Sequence, residues 1–86
     1  MQDGRRARPA CEIAFHLRQR GRAVLGIYDI SGRMVREWIL PDANSGDHRQ
    51  WWNGKDQSGR SVSSGIYVSR LRQGGESVAD KIVLVR

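Results

Sequence analysis

The chain has 86 residues, of which 38% are hydrophobic, with one cysteine and a formal net charge of +6. A chain of this length encloses one small core and, with a single cysteine, no internal disulfide, so strand pairing and a few large side chains must stabilise one domain. No stretch reaches the eighteen or so apolar residues of a membrane span, and no apolar signal segment opens the chain, which predicts a protein that is soluble as written.

Positive charge is concentrated at the amino end of the chain. The first 22 residues contain six arginines and two acidic residues, whereas the other 64 residues carry nine basic and seven acidic side chains that interleave. Residues 1–10 include Arg5, Arg6 and Arg8 and have no hydrophobic period. They are therefore predicted to form a basic arm, either disordered or held by a neighbouring chain, in front of a domain at 11–86.

The first half of the domain predicts three strands. Residues 11–18 alternate apolar and polar side chains, which is typical of a half-buried strand, and Cys11 is expected to be buried there rather than to cross-link two chains. A turn leads to a second strand that ends at Asp29, and a short Ser-Gly connection leads to a third strand at 33–40. Because the third strand breaks strict alternation over only seven or eight residues, a bulged strand is favoured over a helix.

The second half predicts three more strands. Residues 41–47 are expected to be the longest loop, and the pair Gly74-Gly75 is expected to form a tight hairpin with a primed turn. The remaining strands are predicted at 48–52, 65–72 and 77–85. Short strands at this spacing, with turn signals between them, predict an all-β antiparallel sandwich with almost no helix. No internal repeat is visible.

The turns and aromatic residues fall in one order and spacing along the domain. They are Ile27-Tyr28-Asp29, Ser31-Gly32-Arg33, Trp52-Asn53-Gly54, Asp56, Ser58-Gly59-Arg60, Ser64-Gly65-Ile66-Tyr67 and Lys81-Ile82-Val83-Leu84. This series resembles the immunoglobulin-like domain of flagellar hook-capping proteins and is similar to the type A sorting domain of the type IX secretion system. The resemblance covers residues 11–86 and implies an immunoglobulin-like or fibronectin-like sandwich of six to seven strands, outside the cytoplasm or on the cell surface, without a cofactor. The structural motif that it implies consists of Asp29, Gly32, Trp52, Gly54, Asp56, Gly59, Gly65 and Tyr67.

Two pairs of residues in this pattern have predictable environments. Trp52 is expected to pack in the core with its indole N–H bonded to a carbonyl group. Because successive residues of a strand point to opposite faces, Trp51 is expected to face outward, as a contact for another protein or under a loop. Asp29 and Asp56 stand in turns beside Ser and Gly, so their carboxylates are expected to accept hydrogen bonds from backbone amides rather than to bind a metal.

The sequence predicts no enzyme. Its two histidines, His16 and His48, lie in no catalytic motif, and it contains no serine elbow, paired-cysteine metal motif or phosphate loop. The predicted function is structural: contact with other proteins, in a homo-oligomer or filament built through sheet edges and the arm, or sorting for export through the carboxy-terminal strands.

The interface candidates are Arg5, Arg6, Arg8 and Trp51. The alternative is binding of nucleic acid or another polyanion through the basic arm, independent of sequence. It is less favoured because the basic side chains of the domain body are interspersed with acidic ones instead of converging with aromatic residues.

Overall fold

The computed structural model describes residues 11–85, which form six β-strands and no helix. The strands are β1 (Cys11–Leu17), β2 (Gly21–Asp29), β3 (Met34–Ala43), β4 (Gly46–Trp52), β5 (Gly65–Gln73) and β6 (Glu76–Leu84). They form two antiparallel sheets, one of β1 and β4 and one in the order β3-β2-β5-β6. The prediction of an all-β, immunoglobulin-like antiparallel sandwich of six to seven strands is confirmed. Within the described residues, no helix is long and apolar enough to cross a membrane.

The hydrophobic core lies between the two sheets and receives side chains from every strand. Its buried members are Ile13, Leu25, Ile27, Val35, Trp52, Tyr67 and Leu84. They share one face of each sheet because residues two apart on a strand point the same way. Burying one large aliphatic or aromatic side chain contributes roughly 1.5–3 kcal/mol, so these few residues provide most of the stabilisation of so small a domain.

The connection between β3 and β4 is much shorter than predicted. Residues 41–47 were expected to form the longest loop, but β3 continues to Ala43 and β4 begins at Gly46, which leaves only Asn44-Ser45 between them. Pro41 therefore lies inside a strand. This is compatible with the sheet because β3 is an edge strand, in which a missing N–H does not interrupt the pairing of two neighbours.

The predicted bulge in the third strand is present at two places. The register against β2 shifts by one residue near each end of β3. The partners on either side of the shifts are Gly21↔Ala43 and Ala23↔Leu40, and Ile27↔Arg36 and Tyr28↔Met34. Each shift inserts an extra residue in β3, and this explains why its apolar residues follow no strict period of two.

The hairpin between β5 and β6 has the predicted turn. Gly74 and Gly75 have φ angles of 58° and 82°, and Gln73 pairs with Glu76 across the turn. Both central residues are thus in the left-handed region that a type I′ turn requires, where side chains other than those of Gly, Asn and Asp are disfavoured.

Candidate functional site

The linker between β4 and β5 is fixed at both ends by aromatic side chains of the core. The indole N–H of Trp52 donates to the carbonyl of Lys55 at 2.9 Å, and the hydroxyl of Tyr67 donates to the carbonyl of Ser63 at 2.6 Å. The two rings meet edge to face with their centroids 5.2 Å apart. Because both side chains are buried, these hydrogen bonds are partly shielded from water and hold the linker against the sandwich.

Gly54 and Gly65, near the two ends of this linker, also take part in strand-like contacts. The carbonyl of Gly54 accepts a hydrogen bond from the amide of Val62 at 3.0 Å, which folds the linker back on itself. Gly65 begins β5 and pairs with Leu84 of β6. The linker is therefore a small hairpin-like crossing between the sheets, and its glycines serve the path of the backbone.

The turn between β2 and β3 is organised by one carboxylate. Asp29 Oδ1 accepts hydrogen bonds from the backbone amides of Ser31 and Arg33, each at 3.0 Å, and from the Ser31 hydroxyl at 2.6 Å. The amide of Gly32 donates to the Asp29 carbonyl at 3.0 Å. Four donors thus converge on one residue, and Asp29 caps the turn.

The same arrangement recurs inside the linker, where Asp56 is the central residue. Asp56 Oδ1 accepts from the amides of Ser58 at 3.0 Å and Arg60 at 2.9 Å, and from the Ser58 hydroxyl at 2.8 Å. The amide of Gly59 donates to the Asp56 carbonyl at 3.0 Å, as in the first turn. Both turns have the sequence Asp-x-Ser-Gly-Arg. The expectation that the chain contains no internal repeat is wrong at this scale, and the repeated pentapeptide was the signal that could have revealed it.

The hydrogen bonds in these turns favour the ionised form of both carboxylates. The pKa of Asp29 is lowered, first by the hydrogen bond from the Ser31 hydroxyl, and the pKa of Asp56 is lowered, first by the bond from the Arg60 amide. In each case one carboxylate oxygen is saturated by donors of its own turn. Among residues 11–85, no group of three or more His, Cys, Asp or Glu side chains is placed to hold a metal ion. The chemistry of both turns is that of backbone capping.

The linker also covers part of the free edge of β3. The backbone amide of Gln57 donates to the Val35 carbonyl at 2.8 Å, and the side-chain Oε1 of Gln57 accepts from the Glu37 amide at 2.9 Å. Gln57 thus satisfies two edge groups that would otherwise be available to a strand from another molecule.

The opposite edge of the four-stranded sheet is shielded in a different way. The amide of Lys81 in β6 donates to the carboxylate of the preceding Asp80 at 3.1 Å, and the Cys11 thiol lies 3.7 Å from the Val83 carbonyl as a weak donor. Cys11 is half-buried against the core, and this burial raises the pKa of its thiol. Both edges of the larger sheet therefore have some of their pairing groups occupied.

The outer face of the smaller sheet presents a single large aromatic side chain. We call this surface the Trp51 face, and it consists of Glu12, Ala14 and His16 of β1 and Asp47, Arg49 and Trp51 of β4, as the register of the two strands requires. Trp51 is 63% exposed. Arg49 lies 3.2 Å from the Glu12 carboxylate, and His16 Nδ1 lies 2.8 Å from Asp47. The surface around Trp51 is accordingly polar, and its ionisable side chains contact one another.

The inner face of β4 carries polar residues whose hydrogen bonds are satisfied locally. Gln50, where an apolar residue is common in the hook-capping pattern, is half-buried, and its Nε2 donates to the Trp51 carbonyl at 3.0 Å. His48 stacks on Phe15 with ring centroids 5.2 Å apart, and its Nε2 donates to the Asn44 carbonyl at 2.7 Å. His48 is thus a packing residue, whereas His16 lies on the exposed face, and the two do not form a common site.

Comparison with known protein families decides the classification of the domain. The family model of the FlgD Ig-like domain matches residues 12–76. The chain belongs to the FlgD Ig-like domain family. The FlgD Ig-like domain is a structural and not a catalytic domain, so the prediction that the chain is not an enzyme is confirmed. The hook-capping part of the resemblance is confirmed as well.

Two solved FlgD structures are similar to the chain in fold. The crystal structure of FlgD from P. aeruginosa aligns with a TM-score of 0.71 at 20% identity, over 88% of this chain and 60% of that one. FlgD from Xanthomonas campestris, described as a hook-capping protein essential for flagellar assembly, aligns with a TM-score of 0.69 at 20% identity, over 91% and 57% of the two chains. The present chain therefore spans somewhat more than half the length of these proteins. No curated protein sequence matches it.

The predicted interface residues fall into two groups. Arg5, Arg6 and Arg8 of the arm lie outside the described residues. Trp51 lies on the exposed face of the smaller sheet, as expected from its neighbour Trp52 in the core. Its role in an interface stays a prediction.

Proposed function

We propose that this FlgD Ig-like domain is a protein-assembly module of an extracellular protein, and that the β1-β4 sheet is its contact surface. The observation that carries the proposal is the exposed indole of Trp51, which stands on a face whose charged groups are already paired. Large exposed aromatic side chains are typical of the few residues that dominate binding energy. The ionisable side chains beside Trp51 contact one another, so none of them requires a partner of opposite charge from another molecule.

The edges of the two sheets also favour the β1-β4 sheet as the contact surface. In the larger sheet, Gln57 and Asp80 occupy pairing groups of the two edge strands. In the smaller sheet, β1 and β4 each have one side that pairs with no other described strand. A second copy of the domain, or an extended segment of one, can add to such an edge through main-chain hydrogen bonds.

The basic arm belongs to this proposal as a second contact. Residues 1–10, with Arg5, Arg6 and Arg8, directly precede β1, which is one of the two unpaired edges. Because the arm is joined in sequence to Cys11, the first residue of this edge strand, we propose it as a second contact at the same edge. The hook-capping role named for the Xanthomonas campestris relative is an assembly function, and it gives homotypic association further support.

Light scattering of the purified chain over a range of concentrations tests the assembly proposal. The wild type is expected to show a mass that rises with concentration, and Trp51→Ser is expected to shift that rise to at least tenfold higher concentration, because a residue of this kind contributes about 2 kcal/mol or more. Ile30→Ser is the matched control, since Ile30 is 81% exposed on the β2-β3 turn and away from the Trp51 face. Deletion of residues 1–10 is expected to weaken association further. A monomeric mass at every concentration, or equal effects of both serine variants, contradicts the proposal.

Export is a second candidate function, and it rests on the similarity to type IX sorting domains. One observation favours it: the carboxy-terminal end of β6 is accessible, with Lys81 and Val83 exposed, and Val85 beyond it is exposed too. Appending residues 11–86 to a reporter in a host that has a type IX machine tests it. Secretion of the reporter, lost when the exposed side chains are replaced in K81S/V83S/V85S, is expected for a sorting domain, and retention of the intact fusion in the cell rules this function out.

A further inference from the structure

The outer face of the four-stranded sheet differs from the Trp51 face in both charge and composition. We call this surface the basic face and define it by Arg22, Ile39, Ile66, Arg70, Lys81 and Val83. The strand registers place these residues together, since cross-strand partners share a face. The pairs that establish this are Val24↔Ile39, Gly26↔Arg70, Val68↔Lys81 and Ile66↔Val83.

Three of the five described Arg and Lys side chains that lack a carboxylate partner lie on this face, and the other two are Arg36 on the inner face and Lys55 in the linker. Seven of the eight acidic side chains in residues 11–85 lie within 4 Å of a basic side chain. The basic face has one of them, Glu37, which Arg72 contacts at 3.3 Å. Arg22, Arg70 and Lys81 are exposed and have no carboxylate partner among the described residues. Three positively charged side chains on one sheet face attract a partner whose surface is negatively charged.

Apolar side chains lie among these cations. Ile39, Ile66 and Val83 are 56%, 50% and 57% exposed. The ring of Tyr28 also lies on this face, over Gly26, where an added Cβ would meet Tyr28 Cε1 at 3.0 Å. The basic face therefore presents three aliphatic side chains and one aromatic ring for burial beside its cations.

A groove of about 500 Å³ lies at one end of the basic face. Arg22, Arg72, Val24 and Ile39 line it together with Glu37 and Glu76, and the β5-β6 turn closes one side. Arg72 is paired with Glu37 and Glu76 with Arg18, so Arg22 is the cation of the groove that has no carboxylate partner among the described residues. A partner's carboxylate that enters the groove can pair with Arg22, beside the aliphatic side chains of Val24 and Ile39.

We propose that the basic face binds an acidic and partly apolar surface of a different protein. A second copy of this domain is a poor partner, because nearly all acidic side chains of the described residues are engaged in ion pairs. Nucleic acid is a poorer partner, because a single tyrosine ring among aliphatic side chains offers no series of rings on which successive bases could stack. The inference rests on the proposed role as a protein-assembly module, and it adds a second surface with a distinct class of partner to the Trp51 face.

Nuclear magnetic resonance titration with designed probes tests the proposal on the complete chain. The probe is a peptide of alternating Glu and Val with nine residues, the length of β6. The comparison probes are the same peptide with Lys in place of Glu, and an oligothymidylate of the same length. The Glu-Val peptide is expected to shift amide signals of β2, β5 and β6, whereas the Lys-Val peptide is expected to shift none.

Two charge variants make the test specific to the face. Neutralising the unpaired cations in R22Q/R70Q/K81Q is expected to weaken binding of the Glu-Val peptide by about tenfold or more, since exposed charges contribute a few tenths to about 1 kcal/mol each. The control R33Q/R49Q/R60Q removes the same net charge from arginines that are each paired with a carboxylate away from the basic face. It is expected to change the affinity by less than about threefold. Replacing the aliphatic pair in I39S/V83S is expected to weaken binding as well.

Several results overturn the proposal. Equal losses in the two triple variants indicate attraction by net charge alone. Tighter binding of the oligothymidylate than of the Glu-Val peptide indicates a nucleic-acid surface, and signal changes confined to the Trp51 face, or none at about 1 mM peptide, indicate that the basic face is not a binding surface. Failure here differs from failure of the assembly proposal, because the concentration-dependent mass depends on Trp51 and not on Arg22, Arg70 or Lys81.

Discussion

Trp52 and Tyr67 meet edge to face across the core, with ring planes at 74° and centroids 5.2 Å apart, and each donates a hydrogen bond to the same linker. One side chain comes from β4 in the smaller sheet and the other from β5 in the larger one. The pair thus fixes the distance between the sheets and the two ends of the segment that crosses between them. Packing and chain path depend on the same two residues.

Replacing Trp52 is expected to cost far more stability than replacing its neighbour. Trp52→Ala removes the largest fully buried side chain and leaves a cavity, so a loss of about 3–5 kcal/mol is expected. Trp51→Ala is the matched control, and because Trp51 is exposed its effect is expected to stay near 0.5 kcal/mol. Urea unfolding followed by circular dichroism measures both. Equal losses in the two variants would show that the assignment of inward and outward indoles is wrong.

Local patterns in the sequence predicted most of the fold for a physical reason. The alternation along β1 reflects which side chains are buried, and the glycine pair before β6 reflects the backbone angles of the turn. Both properties depend mainly on residues that are close in sequence. The loop prediction at 41–47 failed because proline and Asn-Ser-Gly are common in turns. Only the position of β3 at the sheet edge, which is a property of the whole sheet, permits Pro41 within a strand.

The surfaces were harder to predict from the sequence than the core. The neighbour rule for strands placed Trp51 outside, but the capping of β3 by Gln57 joins residues about twenty positions apart and has no local signal. The basic face was hidden because acidic and basic residues interleave along the chain. In the folded domain most acidic side chains are neutralised by ion pairs, whereas Arg22, Arg70 and Lys81 lie together on one sheet without a carboxylate partner among the described residues.

The cap on β3 predicts a local effect of Gln57→Ala. The variant loses the side-chain acceptor for the Glu37 amide, so a loss of about 1 kcal/mol and faster hydrogen exchange at that amide are expected. The amide of Leu25 in the central strand β2 is the internal control, and its exchange rate is expected to change only if the global stability changes. Unchanged exchange at Glu37 would mean that the hydrogen bond does not protect the edge.

The β5-β6 turn predicts a difference between two substitutions at one position. Gly75 has a φ of 82°, and a Cβ there would meet nothing within 4 Å, so the cost of a side chain is set by the backbone alone. Gly75→Ala is expected to destabilise the domain by about 1–2 kcal/mol, and Gly75→Asn by less, because Asn tolerates the left-handed region. Thermal unfolding compares the two variants. Equal melting temperatures would show that the turn adopts another geometry.

The two Asp-centred turns predict how stability depends on pH. The pKa values of Asp29 and Asp56 are lowered from the ordinary value of 3.8 by hydrogen bonds within each turn. A group with a lowered folded pKa contributes stability above its unfolded pKa, and this contribution is lost as the pH falls through the folded value. The urea midpoint of the wild type is therefore expected to fall below about pH 4.

The double variant D29N/D56N tests this origin of the pH dependence. Asparagine keeps an oxygen that accepts the turn hydrogen bonds but cannot be protonated in this range, so the fall below about pH 4 is expected to be smaller than in the wild type. D47N is the control, because Asp47 lies on the Trp51 face and takes part in neither turn. If D29N/D56N and the wild type lose stability equally between neutral pH and pH 3, other carboxylates cause the acid sensitivity, and the turns contribute the same stability at every pH.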